Sequence, residues 1–231
     1  MRKNSDFNQI LCWLAGMINV FYTLTESCFA IVQTHPVRSE VKMGIGIQKI
    51  NLKNAVDINK CDGEFIIDSR LVLNLENDRI RYHVENMAPA RKRYQIDEID
   101  PGNYIDDPNK AIFFAYIAGQ LAGQIVLRKN WNHFAYVEDI VVDIKFRRRG
   151  VGKALVMQAE QWARERQLPG IMLETQNNNV GACKLYERYG FRLEGFDRYL
   201  YRGICSNTCE IALYWYLLFE PEPASHPTNH R

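Results

Sequence analysis

Apolar and polar positions change their spacing several times along the chain, and each change marks an element. From Ile45, IGIQKINL and then FIIDSRLVLNLENDRIRYHVENM set β-branched and aromatic residues in partial alternation with polar ones. A period of two predicts strands. YQIDEIDPGNYIDDPNK is polar, acidic and rich in turn formers, which predicts a loop. AIFFAYIAGQLAGQIVLRKNW reads as two strands joined by a turn around Gly119 and Gln120. AYVEDIVVD ends in a continuous apolar run, as a buried central strand does. The period then lengthens. In GVGKALVMQAEQWARERQ, the residues Ala154, Leu155, Ala159, Trp162 and Ala163 form a helical stripe that Pro169 and Gly170 end. GIMLETQ reads as a strand and NVGACKLYERYG as a shorter helix with Gly190 as its stop. FRLEGFDRYLYR and EIALYWYLLF close the pattern as strands, and no internal repeat is visible.

This order predicts a mixed α/β (α+β) domain. One crossover helix separates VEDIVV from GIMLETQ, so those strands are expected to be parallel neighbours. Residues 1–42 stand apart. Ile10 to Val32 is almost wholly apolar, broken by Asn19 and Glu26 and preceded by Arg2 and Lys3. It resembles a weak signal anchor or signal peptide. The interruptions, and a self-sufficient pattern after Met43, favour an extension outside the fold. The expected organisation is an extension over 1–42, one domain over 43–220 and a loose Pro- and His-rich tail over 221–231.

Composition narrows the function classes. Of 231 residues, 47% are hydrophobic and 24% charged, the balance of a folded domain. A net charge of +2 gives no push toward nucleic acid, where affinity rests on many phosphate contacts. The six cysteines are scattered, without the paired spacing of a zinc site. No metal is expected, and the core reads as cytoplasmic and reduced.

The candidate chemistry lies in DIKFRRRGVGKAL, residues 143–155, between a buried strand and the crossover helix. A helix start exposes backbone N–H groups to an anion. Gly150 and Gly152 let that anion approach closely, and arginines add charge-assisted bonds at the rim. A phosphate loop of the Walker type is excluded, because Ala154 follows Gly152-Lys153 where Ser or Thr is required. A dinucleotide fingerprint is excluded by Leu155 in place of its third glycine. The pattern Arg/Gln-x-x-Gly-x-Gly/Ala fits, with Arg147, Gly150 and Gly152. Taken alone, three consecutive arginines also suit a solvated helix start, and Tyr186 also suits a core aromatic.

VEDIVV, this loop, and LETQNNNVGACKLYERYGF together resemble the general N-acetyltransferase (GNAT) superfamily. The resemblance implies a central mixed twisted sheet of about seven strands flanked by helices, and acetyl-CoA as acetyl donor. It assigns donor binding to Ile140, Val141 and Val142, to the loop Arg147, Arg148, Arg149, Gly150, Val151, Gly152 and Lys153, and to Asn179. It assigns Tyr186 the role of general acid toward the departing thiolate. By similarity to polyamine-type enzymes with a like Glu-Asp pair, Glu138 is the expected base and Asp139 the second candidate or a substrate ligand. Adjacent strand residues point to opposite faces, so these two are not expected to share the site equally. Cys183, one turn before Tyr186, raises an acyl-cysteine route. No histidine stands beside it in sequence, so direct transfer is expected.

LRKNWNHFAYVEDIVV, GIMLETQNNNVGACKLY and ALYWYLLF further resemble the streptothricin acetyltransferases, over about Met43 to Phe219. Those enzymes acetylate the β-lysine part of a cationic antibiotic and confer resistance to it. The acidic loop agrees: Asp97, Glu98 and Asp100, with Asp106 and Asp107, would attract a polycation. A solvated loop has the same composition. A polyamine or protein acetyltransferase remains an alternative on the same fold, as does a non-catalytic acetyl-CoA- or nucleic-acid-binding protein. The expected partner is a cationic small-molecule amine, with no nucleic acid and no membrane for the core. The family's habit of pairing makes a homodimer a further expectation.

Overall fold

The computed structural model describes residues 44–94, 98–206 and 208–219. The apolar stretch Ile10 to Val32, Asp97 and the tail lie outside the described residues.

The strands are β1 (Ile45–Lys49), β2 (Phe65–Glu76), β3 (Arg79–Lys92), β4 (Lys110–Ile117), β5 (Gln120–Lys129), β6 (Ala135–Val142), β7 (Gly170–Gln176), β8 (Arg192–Asp197) and β9 (Ala212–Leu218). The helices are α1 (Gly102–Ile105), α2 (Val151–Glu165) and α3 (Val180–Tyr189). Seven strands form one mixed sheet in the order β1-β4-β5-β6-β7-β9-β8, in line with the expected sheet of about seven strands. Strands β6 and β7 are the expected parallel pair, joined by α2; the other pairings are antiparallel.

Several boundaries depart from the expectations. The β4–β5 turn is centred on Ala118 and Gly119, both at positive φ (50° and 75°), one residue earlier than expected. This is the turn whose twist matches that of the flanking strands. The acidic loop contains the short helix α1. The segment FRLEGFDRYLYR is a strand only to Asp197 and is followed by a 3-10 turn over Leu200–Gly203. Strands β2 and β3 do not join the main sheet. They form their own long hairpin, turning on Asn77 and Asp78. Alternation is the same in either setting, so it could not distinguish them.

Two apolar clusters cover the two faces of the sheet. The larger packs Ile125, Leu127, Ile171, Leu173, Leu213 and Trp215 against α2 and α3. The α2 stripe is Val151, Leu155, Val156, Ala159, Trp162 and Ala163, with Val156 taking the place expected for Ala154. On the other face, Ile112, Phe114 and Val126 are covered by Ile50, Ile99, Tyr104 and Ile105. The hairpin is held to the end of β7: Leu71 N–H donates to the Asn177 carbonyl (2.8 Å), and Asn177 Nδ2 donates back to the Leu71 carbonyl (3.2 Å). Leu71 is itself fully buried in the larger cluster.

Candidate active site

The site begins with a gap in the sheet. The β6–β7 ladder covers only Ala135–Val137 against Ile171–Leu173, although β6 continues to Val142 and β7 to Gln176. Beyond the ladder, Ile140, Val141 and Val142 keep their β5 partners but have none on β7, and on that side they line a cleft. The cleft measures about 1050 Å³, at the upper end of ordinary ligand pockets, so it suits a long ligand.

One end of the cleft is the start of α2. Arg147 is extended, Arg148 takes positive φ (63°), and Gly150 takes φ 88° as N-cap. Gly150, Val151, Gly152 and Lys153 thereby line the cleft, and the first amides of a helix have no intrahelical partner. A Cβ at Gly152 would stand 3.0 Å from Leu185 Cδ2, so the small residue keeps α3 close to the loop. Arg147 Nε donates to the Val142 carbonyl (3.3 Å), tying the loop to the strand end. Arg147, Arg148, Gly150, Val151, Gly152 and Lys153 all line the cleft, together with Asn179 and Tyr186. Arg149 does not; its guanidinium lies over the Phe146 ring. Arg93 and Arg188 add cations that sequence reasoning missed. The run Arg-Lys-Arg-Tyr over 91–94 was the available signal for the first.

Tyr186 is buried in α3, near the rings of Phe191 (5.7 Å) and Trp215 (6.2 Å). Burial, helped by the neighbouring Cys183 and Tyr94, pushes its phenol well above the usual range, so it stays protonated at neutral pH. Asn179 caps α3 by accepting from Ala182 N–H (3.3 Å) and donates to the hydroxyl of Tyr94 (3.1 Å), a wall residue not anticipated. Cys183 is fully buried and its thiol is pushed up to about 12, chiefly by burial. A thiol held protonated is a poor nucleophile.

The strand-alternation argument for Glu138 and Asp139 is overturned by a β-bulge. Val126 pairs with Asp139 and Leu127 with Val137, which leaves Glu138 as the extra residue. Glu138 accepts from Arg128 Nε (2.8 Å) and from the Tyr104 hydroxyl (3.0 Å), while Asp139 accepts from Gln124 Nε2 (3.3 Å). Gln124 and Arg128 lie four residues apart on one strand and therefore share a face. Both carboxylates consequently sit on the face away from α2 and α3. Asp139 lines the cleft and Glu138 does not. Burial raises the carboxyl of Asp139 above its ordinary value.

The acidic loop approaches this same face through Tyr104. Glu98 and Asp100 are exposed and outside the cleft. Asp100 accepts from Gly102 N–H (2.9 Å) and Asn103 Nδ2 (3.3 Å), so it also shapes the start of α1.

Known proteins share this construction. Streptothricin acetyltransferase A of Bacillus subtilis (strain 168) is 36% identical over 174 residues, 75% of this chain and 99% of that protein. The crystal structure of a candidate streptothricin acetyltransferase from Bacillus anthracis str. Ames, in complex with acetyl coenzyme A, superposes with a TM-score of 0.72 at 47% identity, covering 76% of this chain and all of that one. A nourseothricin acetyltransferase structure superposes with a TM-score of 0.64 at 33% identity, over 75% and 98% of the two chains. Residues 74–191 match the acetyltransferase (GNAT) family. The splayed strands and the glycine-capped helix fall inside that match, and the chain belongs to the GNAT family of N-acetyltransferases.

Proposed function

We propose that this protein moves the acetyl group of acetyl-CoA to an amine of a cationic small molecule, the β-lysine part of streptothricin, and so confers resistance to that antibiotic. The observation that carries the reading is the two-sided opening between β6 and β7. On the helix side lie strand ends that do not pair with each other, the α2 start and basic residues, suited to a long anionic donor. On the other face lie Glu138, Asp139 and the acidic loop, suited to a cation. The identity with streptothricin acetyltransferases along nearly their whole length supports the same acceptor.

In this reading the α2 amides, Arg147, Arg148 and Lys153 hold the donor's phosphates, and Ile140 to Val142 hold its extended arm through backbone groups. An alkyl ammonium has a reference pKa near 10.4, about three units above neutrality, so freeing its lone pair costs roughly 4 kcal/mol. Asp139 takes that proton, directly or through water; its raised pKa makes it a better acceptor than an ordinary carboxylate. Glu138, outside the cleft and held by Arg128 and Tyr104, is the second candidate. A backbone N–H near Val142 stabilises the oxyanion. Tyr186, protonated and buried, returns a proton to the departing thiolate. Cys183 takes no covalent part, in keeping with its raised thiol pKa. In this reading the reaction is cytoplasmic, where acetyl-CoA is available.

Release of free thiol from acetyl-CoA across a panel of amines tests the reading. Streptothricin should give the highest kcat/KM, above polyamines and peptide N-termini. Preference for a peptide, or no thiol release with streptothricin, would contradict it.

A further inference from the structure

One charged residue stands in the otherwise buried strand β7. Ile171 and Leu173 enter the helix-side core, so Met172 and Glu174 face the other way. By the same alternation Tyr136 on β6 and Tyr214 on β9 share that face, and Tyr214 is the register partner of Glu174. The Tyr201 hydroxyl, from the turn after β8, donates to Glu174 Oε1. Glu174 follows directly on the last β6–β7 ladder pair, Val137 with Leu173. It therefore stands at the mouth of the opening, on the strand opposite Glu138 and Asp139.

The nearby carboxylates have basic partners or amide donors: Glu138 has Arg128, Glu210 has Lys92, and Asp139 has Gln124. Among the described residues Glu174 has no ion-pair partner within 4.0 Å, only the tyrosine. A half-buried carboxylate beside Tyr136, Tyr201 and Tyr214 has lost much of its water; the Tyr201 hydroxyl and the more distant charge of Lys92 offset that in part, and an arriving cation would offset more. The Arg128 guanidinium already lies over the Tyr136 ring (4.7 Å), which leaves Tyr201 and Tyr214: an aromatic ring beside a carboxylate favours an ammonium twice, through the ring quadrupole and through the charge.

We propose that Glu174, with Tyr201 and Tyr214, seats a second ammonium group of the acceptor, distinct from the amine that reacts. The site then selects di- and polyamines over monoamines. This rests on the reading of a cationic acceptor given above, and adds the residue that measures its second charge.

The test compares wild type, Glu174→Gln and Glu174→Asp with streptothricin, a linear diamine and a monoamine of equal chain length. A charge-assisted bond and one decade per 1.4 kcal/mol give an expected rise in KM of about 10- to 100-fold for the di- and polyamines in Glu174→Gln. The kcat, the KM for acetyl-CoA and the KM for the monoamine should stay within about twofold, since the hydrogen bond of Glu174 goes to Tyr201 and not to Asp139 or Tyr186. Glu174→Asp should recover part of the loss. Equal shifts for diamine and monoamine, or no shift, overturn the proposal. Turnover of the diamine without turnover of streptothricin removes the substrate assignment alone, and Glu174 is then judged on the diamine. Failure with every cationic amine overturns both.

Discussion

Replacing Gln124 with leucine probes the proposed base without touching it. Gln124 is fully buried; its Nε2 donates to Asn59 Oδ1 (3.0 Å) and to Asp139 Oδ2 (3.3 Å), and its Oε1 accepts from Asn59 N–H (2.9 Å). Leucine has similar bulk but no polar atom. Two hydrogen bonds to Asn59 are lost, at about 1 kcal/mol each, so the midpoint of thermal unfolding should fall by several degrees. The bond to Asp139 favours the ionised carboxylate, and its removal raises a pKa that burial has already raised. At 3.3 Å the bond is long, so its worth is near the low end for a charged acceptor, ~1.4 kcal/mol, or about one pKa unit. A base works only when ionised. Activity therefore falls as pH drops through the pKa of Asp139, and the variant's acidic limb should lie about one unit higher. The assay is kcat/KM for the acceptor as a function of pH, which reports free-enzyme groups. The acceptor's own titration is common to both proteins and cancels in the difference. A limb that stays in place while thermal stability drops would refute Asp139 as the base.

Three other perturbations separate the remaining parts. Tyr186→Phe should lower kcat by about 10²- to 10⁴-fold and leave the KM for acetyl-CoA nearly unchanged; an unaltered kcat removes Tyr186 from acid catalysis. Gly152→Val crowds Leu185 and Val142, both already within 4 Å of the added Cβ. Overpacking of about 1–3 kcal/mol at the α2 start should raise the KM for acetyl-CoA about tenfold or more with little change in acceptor KM. Neutralising Asp97, Glu98, Asp100, Asp106 and Asp107 together should raise acceptor KM at low salt and much less at high salt, because exposed charges are screened; an unchanged low-salt KM leaves the loop with a solvating role only.

The parts of this molecule that were legible in its sequence are those set by local pattern. The two helices, the parallel β6–β7 pair around α2 and the glycine-capped loop depend on spacing within a few residues. Arg147, Gly150 and Gly152 could be placed before any coordinates because their chemistry is local to one helix start. The bulge at Glu138 could not, since it depends on how β6 registers against β5, and one extra residue reverses an alternation argument. The hairpin β2–β3 was unreadable as a separate unit for a similar reason: amphipathic strands do not declare their sheet. Arg93, Tyr94 and Arg188 reach the cleft only because the hairpin and α3 converge on the loop. Glu174 left a trace that could have been used, a lone acid inside an apolar strand.

The central claim is that this protein acetylates streptothricin with acetyl-CoA through Asp139 and Tyr186. The most direct measurement is the mass of streptothricin after incubation with acetyl-CoA and either wild type or Tyr186→Phe. The account predicts a gain of one acetyl group, localised by fragmentation to the β-lysine part, formed rapidly by wild type and very slowly by the variant. An unchanged mass with wild type, or equal rates for the two proteins, would contradict it.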